Sequence, residues 1–318
     1  MFDVLLEVKN LTVEYESGKN KVRAVNDVSF AVEKGEVLGI IGESGSGKTT
    51  IANSIIGAIR PPAKVISGKI LFEGKDLLSM NREEFRRIRW KEISYVPQAS
   101  QNALNPAITV YKNFYYIWTS HSDRDEEELR ERASELLKLV GLDPQRVLKM
   151  YPFQLSGGMK QRVMIALSLL LNPKLIIMDE PTSALDMLNQ QLILNLIKKI
   201  KGNESISIIF ITHDILTVAQ IADRLLVLYK GYVMEEGSTE KVMKEPLSPY
   251  TSLLIGSIPP LRGEIRPISV PEEKEGTDGG CPFLSRCPKA FSRCRVLPEI
   301  FVKDSRKVRC WLYAPNGA

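Results

Sequence analysis

The feature that most constrains this chain is a glycine-rich segment, GESGSGKT at 42–49, between an apolar run and a helical pattern. The run VLGII at 37–41 predicts a buried strand, and isoleucines at helical spacing follow from Ile51. A glycine-rich turn that opens a helix presents backbone N–H groups and the positive end of the helix dipole to a phosphate. Lys48 would add a cation for the β/γ-phosphates, and Thr49 a hydroxyl for Mg²⁺. The segment therefore predicts a phosphate-binding loop within an α/β fold.

A second apolar run, LIIM at 175–178, ends in Asp179 and Glu180. Open parallel sheets bind their ligands at the carboxyl ends of the strands. Asp179 is therefore predicted to hold Mg²⁺, directly or through water, and Glu180 to polarise an attacking water. Alone, the two acids would be read as ordinary exposed residues. In combination with the phosphate loop they predict a catalytic edge.

A third segment, Ser156-Gly157-Gly158, precedes an apolar helical pattern that starts at Val163. Ser156 is predicted to cap this helix, and the two glycines leave its N-terminus open to an anion. A second anion-binding loop is redundant within one chain. The redundancy is explained if two copies of such a chain share one nucleotide, each covering the site of the other.

These segments, in this order, resemble the nucleotide-binding subunits of ATP-binding cassette (ABC) transporters over about residues 5–240. The resemblance implies a P-loop NTPase core of the α/β class with an antiparallel β subdomain and an inserted helical subdomain at about 80–165. It implies Mg²⁺ held by Thr49, Gln98 and Asp179. The ATP contacts that it implies are Tyr15, Gly42, Ser44, Gly45, Ser46, Gly47, Lys48, Thr49, Thr50, Gln98, Ser156, Gly157, Gly158 and Asp186.

Individual roles follow from the same resemblance. Tyr15 resembles the aromatic residue that stacks on adenine, and Gln98 the glutamine that senses Mg²⁺ and the membrane partner. His213, after the apolar run 208–211, resembles the switch histidine at the γ-phosphate, and Asp186 belongs to a SALD segment that would cross the dimer interface. The other histidine, His121, lies in a polar stretch and is predicted to be solvated. The implied catalytic set is Glu180, His213, Lys48 and Gln98.

Composition predicts a protein that stays in the cytosol and does not itself cross a membrane. In 318 residues no run approaches the roughly 20 apolar residues that span a bilayer, and the first residues do not predict a signal peptide. The formal net charge of +5 is too mild to indicate a nucleic-acid partner. The resemblance implies a peripheral location on the cytoplasmic face of the cell membrane. The implied partners are a second ABC ATPase subunit, identical or related, two transmembrane permease subunits and, indirectly, an extracellular solute-binding protein.

The tail differs from the cassette, and we place the boundary between 1–245 and 246–318. The tail contains all the cysteines of the chain, in the pattern C-x₅-C-x₆-C-x₁₅-C. Disulfides are disfavoured in a reducing cytosol. Four thiolates suit Zn²⁺, although zinc modules use tighter pairs, and a [4Fe–4S] cluster accepts looser spacing. The candidate ligands are Cys281, Cys287, Cys294 and Cys310. Basic residues around them are predicted to be solvated: Arg286, Arg293, Arg295, Arg306, Lys307 and Arg309.

The segments PLSPYTSLL at 246–254, SIPPL at 257–261 and GCPFLSRCPKAFSRC at 280–294 resemble the tail of the oligopeptide/dipeptide branch of ABC importers. There the cysteine motif is associated with an iron–sulfur cluster, so the resemblance ranks [4Fe–4S] first and Zn²⁺ second. Ser285 departs from the proline common at that position, which is not a ligand. The implied function is ATP-driven import of oligopeptides or dipeptides, with oligosaccharides or nickel as alternative solutes. The alternative class is a soluble ABC ATPase acting on nucleic acid or the ribosome.

Overall fold

The computed structural model describes residues 3–18, 20–122, 125–183, 185–202, 206–258 and 279–315. Its strands in chain order are β1 (Val4–Ser17), β2 (Asn20–Glu33), β3 (Val37–Ile41), β4 (Ala63–Phe72), β5 (Lys75–Asp76), β6 (Ile93–Val96), β7 (Leu175–Asp179), β8 (Ser207–Thr212), β9 (Arg224–Tyr229), β10 (Tyr232–Ser238), β11 (Phe301–Lys303) and β12 (Arg306–Val308). Its helices are α1 (Lys48–Ile55), α2 (Arg82–Ile88), α3 (Val110–His121), α4 (Glu126–Leu139), α5 (Pro144–Val147), α6 (Gly157–Ser168), α7 (Met187–Lys201), α8 (Ile215–Ala219), α9 (Thr239–Lys244) and α10 (Pro249–Gly256).

The central sheet has the strand order β11-β12-β10-β9-β3-β8-β7-β6. The five strands from β9 to β6 are parallel, whereas β10, β12 and β11 pair antiparallel. A smaller antiparallel sheet has the order β2-β1-β4-β5. The α/β class and the antiparallel β subdomain predicted from the sequence are thus confirmed. Since β3, β8, β7 and β6 are adjacent and parallel, their carboxyl ends share one edge.

The parallel strands are buried on both faces, and their side chains alternate between two cores. Val37 and Ile41 of β3 belong to the core that contains the helices around α6 and α7, whereas Leu38 and Ile40 belong to the core shared with the small sheet and α1. This period of two is the geometry of an extended strand. The chain segments that follow the strands are therefore held by packing on both sides of the sheet.

The stretch that the sequence predicted as helical, about 80–165, contains α2 to α5 and most of α6 but also β6. The strand β6 pairs in parallel with β7 and so belongs to the central sheet. The prediction was wrong there because β6 spans only four residues between charged helical patterns, too few for a clear strand signal. Within the described ranges, no helix has both the length and the apolar composition needed to cross a bilayer.

The second histidine also departs from its prediction. His121 lies at the end of α3 and is partly buried rather than solvated. Burial lowers the pKa of its imidazole, and the charges of Arg86, Arg89 and Lys91 lower it further. These cations come from α2 and the residues that follow it. The sequence pattern does not reveal that this segment lies close to the end of α3.

The tail extends the central sheet. Residues Glu235 and Glu236 of β10 pair with Val308 and Lys307 of β12, and β11 pairs with β12 in turn. The cassette and the tail therefore share one continuous hydrogen-bonded sheet. The part of the resembling tail segments that lies at 259–278 is outside the described residues.

Two of the tail arginines are buried, which contradicts the predicted solvated surface. Arg306 is 3% exposed, and its Nη1 lies 3.7 Å from Glu235 Oε1. Arg309 is 6% exposed and donates to the carbonyl oxygens of Pro298 at 2.8 Å and Val233 at 3.2 Å. Buried guanidinium groups need such acceptors. The acceptors come from the cassette and from distant tail residues, so the local sequence does not reveal them.

Candidate nucleotide site

The predicted site residues gather at the carboxyl edge of the parallel strands. The segment 42–49 follows β3, and His213 follows β8, the neighbour of β3. Asp179 ends β7 and Glu180 follows it, while Gln98 follows β6 at the margin of the sheet. Four chain segments that are far apart in sequence therefore meet along one edge.

The phosphate loop has the close approaches that require glycine. Gly47 has φ +99°, and a Cβ built there would lie 2.2 Å from the carbonyl oxygen of Ala24. A Cβ on Gly42 would lie 2.1 Å from the carbonyl oxygen of Leu228. Gly47 also caps α1 without a side-chain hydrogen bond. The first N–H groups of the helix are thus left for a ligand.

Lys48 is buried inside the loop that precedes it. Its Nζ donates to the carbonyl oxygens of Gly42 at 2.8 Å and Glu43 at 2.9 Å, and lies 3.4 Å from Ser46 Oγ. Burial lowers the pKa of the ammonium, while the carboxylates of Glu180, Asp179 and Glu43 oppose that shift. The loop therefore holds a cation at its centre. Of the other loop residues, Ser44 and Gly45 are exposed.

Asp179 is fully buried and incompletely hydrogen-bonded. Tyr95 donates its hydroxyl to Asp179 Oδ2 at 3.3 Å, whereas Oδ1 is buried without a partner in the part of the chain that the structure describes. Burial raises the pKa of this carboxyl, and the hydroxyls of Thr49 and Tyr95 partly lower it. A buried carboxylate oxygen without a partner beside a threonine hydroxyl fits a hard cation such as Mg²⁺.

Glu180 joins two of the other predicted residues. Its Oε2 accepts from Gln98 Nε2 at 3.3 Å, and its Oε1 lies 3.2 Å from His213 Nδ1. The backbone of Glu180 is held against β8 by a 2.9 Å bond from its N–H to the carbonyl oxygen of Ile211, with φ at +47°. The carboxylate is 14% exposed and the imidazole 57% exposed. The side chains that follow β6, β7 and β8 thus converge at the surface.

Tyr15 reaches the same site from the small sheet. Its hydroxyl lies 3.3 Å from Thr50 Oγ1 in the first turn of α1. Tyr95, which contacts Asp179, was missed in the sequence. Its only signal in the sequence was its position three residues before Gln98, because the strand that contains it was itself not predicted.

The Ser-Gly-Gly segment forms a separate cluster with the helix that follows Asp186. Ser156 caps α6 by accepting from the N–H of Met159 at 3.3 Å, as the sequence predicted. A Cβ on Gly158 would lie 2.7 Å from Asn189 Oδ1, and Asn189 Nδ2 donates to Asp186 Oδ2 at 2.7 Å. Asp186 itself caps α7. Among the described residues, the side-chain hydrogen bonds of this cluster stay within it and do not reach the phosphate loop. Ala184 of the SALD segment lies outside the described residues.

The tail brings its cysteines to one small cavity, which all four line. Burial raises the pKa of the Cys281 thiol to about 11 and also raises those of Cys287 and Cys310. Over the described ranges, no three histidine, cysteine or acidic side chains are grouped closely enough to hold a metal ion. The predicted ligands therefore share a cavity without the geometry of a metal site.

The tail also contacts the phosphate loop, which the sequence analysis missed. Arg286 Nη1 lies 2.9 Å from Glu43 Oε2, and the guanidinium side chain is only 15% exposed. The N–H of Glu43 donates to the hydroxyl of Tyr250 at 3.1 Å. The predicted solvation of Arg286 is thus wrong. Its partner lies 243 positions away, and no local pattern signals such a contact.

Comparison with known proteins agrees with this geometry. Residues 25–183 match the family model for ABC transporters, and the chain belongs to the ABC transporter ATPases. Within that family it falls in the oligopeptide/dipeptide branch, because residues 234–294 match the model for the C-terminal region of oligopeptide/dipeptide transporters.

The relatives are similar along their whole length. A dipeptide transport ATP-binding protein of Caldanaerobacter subterraneus subsp. tengcongensis is 42% identical, over 98% of this chain and 97% of the relative. An oligopeptide transport ATP-binding protein of Bacillus subtilis is 41% identical, over 99% and 98%. A dimeric bacterial ABC transporter cassette of known structure is 33% identical, with a TM-score of 0.67. The similarity covers 74% of this chain and 98% of that cassette. A post-hydrolysis cassette dimer bound to ADP and Pi is also 33% identical, with a TM-score of 0.66, over 74% of this chain and 98% of that cassette.

Proposed function

We propose that this chain is the ATP-hydrolysing subunit of an importer for dipeptides or oligopeptides. The observation that carries the proposal is the match of residues 234–294 to the oligopeptide/dipeptide transporter C-terminal region, in the same chain as an ABC cassette. The full-length relatives named for dipeptide and oligopeptide transport support it. They favour transport over the alternative of a soluble ATPase acting on nucleic acid or the ribosome.

The proposed division of the chain is a nucleotide-binding domain at 1–245 and an extension at 246–318. The solved cassettes cover about three quarters of this chain, which supports an extension beyond the cassette. The helical subdomain, placed at about 80–165 in the sequence, is better begun after β6, because that strand belongs to the central sheet.

The proposed chemistry assigns each residue at the strand edge a task. The phosphate loop binds ATP through its N–H groups, and Lys48 stabilises charge on the β- and γ-phosphates. Glu180 orients the attacking water and accepts its proton, and His213 adds a donor at the γ-phosphate. Gln98 hydrogen-bonds Glu180 and would couple the state of the ATP site to a permease subunit.

The same edge offers a site for Mg²⁺. The residues that would hold it are Thr49, Gln98 and Asp179, and the unpartnered Oδ1 of Asp179 supports the assignment. When bound, the cation would neutralise the phosphate oxygens and polarise the γ-phosphate. Tyr15, beside Thr50, is assigned to the adenine.

A second cassette is proposed to complete the site. Ser156, Gly157 and Gly158 would bind the nucleotide of the partner, and Asp186 would lie at the shared interface. The separation of this cluster from the phosphate loop within one chain supports the proposal, as do the dimeric cassettes of similar fold. The partner cassette is identical or related. The further proposed partners are two permease subunits and, indirectly, an extracellular solute-binding protein, and the proposed location is the cytoplasmic face of the membrane.

Transport is tested with the assembled complex in proteoliposomes. ATP hydrolysis should rise when a di- or oligopeptide and its binding protein are present, and labelled peptide should accumulate. Stimulation by an oligosaccharide or by nickel instead would assign that compound as the transported solute. Co-purification with ribosomes or nucleic acid in place of the permeases would contradict the proposal.

The role of Glu180 is tested with Glu180→Gln. The amide keeps the shape of the side chain but does not take a proton, so hydrolysis should fall by about 10²- to 10⁴-fold while ATP binding persists. An ATP-bound dimer should accumulate on size exclusion. Glu240→Gln on the exposed face of α9 is the matched control and should hydrolyse ATP at the wild-type rate. Normal turnover in Glu180→Gln would remove Glu180 from its role.

For the tail we propose a [4Fe–4S] cluster on Cys281, Cys287, Cys294 and Cys310, with Zn²⁺ as the alternative. The support is the single cavity that all four thiols line. Binding would require the thiols to move inward, since they are not grouped for a metal here. The proposed role is structural, because a cross-link between these four positions would stabilise a tail that is short of regular structure.

The cluster assignment predicts a brown protein after anaerobic purification, with about four irons per chain. Cys294→Ser should lower the iron content, whereas Ser292→Ala, in the same 3₁₀ turn, should leave it unchanged. A colourless preparation with stoichiometric zinc would favour the alternative, and a preparation with neither would contradict both.

A further inference from the structure

The contact between Arg286 of the tail and Glu43 of the phosphate loop leads to one further inference. We propose that Arg286 is a positioning residue for ATP, which neutralises Glu43 and fixes it in the conformation that orients Lys48. The proposal rests on the assignment of 42–49 as the phosphate loop. It adds a task for a tail residue that lies outside the shared motifs of the cassette.

The guanidinium of Arg286 is held in a defined place. It donates from Nη1 to Glu43 Oε2 at 2.9 Å and to the hydroxyl of Tyr229 at 3.3 Å. Its Cζ also lies 5.8 Å from the ring centroids of Tyr229 and Phe283, within the range of cation–π attraction. A charged group with this many partners loses little further freedom when it pairs with a carboxylate.

Three buried aromatic rings pack together beside Arg286. Tyr229, Tyr250 and Phe283 are buried, with ring centroids 4.5 to 5.4 Å apart. Tyr229 ends β9 in the cassette, and Tyr250 lies in α10. Phe283 lies in the cysteine-containing segment. The tail therefore docks beside the phosphate loop through a packed aromatic cluster, with Arg286 at its polar edge.

Glu43 connects this cluster to the phosphate loop. Its N–H donates to Tyr250, and its carbonyl oxygen accepts from Lys48 Nζ at 2.9 Å and from the N–H of Ser46 at 3.1 Å. The backbone of Glu43 thus positions the loop lysine, while its side chain is held by Arg286. Movement of the Glu43 side chain is expected to disturb the acceptor that holds Lys48.

Charge gives a second reason for the pair. Glu43 is the single carboxylate in the segment GESGSGKT. Without a partner, this negative charge would lie close to Lys48, in the loop that binds the phosphates, and would weaken their binding by repulsion. Arg286 cancels it. Loss of Arg286 should therefore weaken ATP binding and leave the turnover of bound ATP nearly unchanged, because Glu180 and His213 are not touched.

The test compares Arg286→Ala, Arg286→Lys, Glu43→Gln and the double variant Arg286→Ala/Glu43→Gln. ATP affinity is measured by titration with a non-hydrolysable ATP analogue, and KM and kcat are measured separately. Arg286→Ala should raise Kd and KM about fivefold, which is about 1 kcal/mol, with kcat within about twofold. Arg286→Lys should recover part of the affinity. Glu43→Gln should restore part of it in the Arg286→Ala background by removing the uncancelled charge, while the part that depends on the contact between the two side chains stays lost.

The matched control is Lys307→Ala, which removes another tail cation whose partner, Glu236, lies in β10 and not in the phosphate loop. Its Kd for the analogue should equal that of the wild type. Equal affinities for Arg286→Ala and wild type would overturn the inference. So would a loss of affinity that Glu43→Gln does not relieve, since that pattern indicates a disrupted tail. Failure of the wild-type chain itself to bind the analogue would overturn the phosphate-loop assignment.

Discussion

Single backbone positions decide whether the phosphate loop exists. Gly47 adopts a left-handed conformation and brings its Cα against the carbonyl of Ala24 in β2, where a Cβ has no room. Gly45 is also left-handed, but a Cβ there would meet nothing within 4 Å. The same loop therefore contains two glycines, Gly42 and Gly47, required by both conformation and contact, whereas Gly45 is required by conformation only.

This difference predicts unequal effects on stability. Gly45→Ala should cost about 1 kcal/mol, the usual penalty for a left-handed alanine. Gly47→Ala should cost clearly more, because β2 and α1 must also separate. Thermal unfolding without nucleotide measures both. Equal losses of Tm in the two variants would contradict the close approach of the backbone to Ala24.

The local signals at this scale were strong in the sequence. The glycines, Lys48, Asp179 and the cap at Ser156 were all predictable, because turn geometry and helix capping depend on neighbouring residues. The hydrogen bond between Gln98 and Glu180 could not be predicted from the sequence, because it joins residues that are 82 positions apart. Tyr95, Glu43 and Arg286 were missed for the same reason.

At the level of elements, the decisive feature is the addition of β12 to the central sheet. The strand has only three residues, and its inward side chain Arg306 lies against Glu235, which is fully buried. Glu235 also accepts from the N–H groups of Leu247 and Ser248 at 2.9 Å each. One carboxylate in the middle of β10 thus ties the start of the tail to that strand, and Arg306 balances its charge.

Arg306→Ala should therefore destabilise the protein by about 3 kcal/mol, because it leaves a buried carboxylate without its countercharge. Lys307→Ala, on the same strand but with its side chain 47% exposed, should change stability by less than about 1 kcal/mol. Urea unfolding monitored by circular dichroism measures the difference. Similar midpoints for the two variants would show that the buried pair does not hold the tail.

At the level of the whole molecule, the two halves of the proposed ATP site lie apart. The phosphate loop with Glu180 forms one half, and the Ser-Gly-Gly cluster beside α7 forms the other. Among the described residues, no hydrogen bond joins the two. Two chains arranged head to tail would bring opposite halves together. Exposed apolar side chains at the start of α7, Met187 and Leu188, are consistent with a further surface that a second chain covers.

Mixing inactive variants tests this arrangement for identical copies. Lys48→Ala removes one half and Ser156→Arg the other, so a mixed dimer has one intact site. An equal mixture should regain about a quarter of wild-type hydrolysis, because half of random dimers are mixed. Lys48→Ala mixed with Glu180→Gln is the control and should stay inactive, since both defects lie in the same half.

Full activity in a strictly monomeric preparation would contradict the shared site. Restoration in neither mixture would contradict pairing of identical copies, and the partner would then be a related second cassette.

The sequence by itself determined the class of fold, the order of the motifs and which candidate residues follow the parallel strands. Those properties depend on residue types at short spacing, which can be read directly from the sequence. Only the tertiary structure decided that β6 joins the sheet, that the tail continues that sheet, and that Arg286 pairs with Glu43. Each of these unites residues distant in the chain, and such pairings are selected by the packing of the whole molecule rather than by any local pattern.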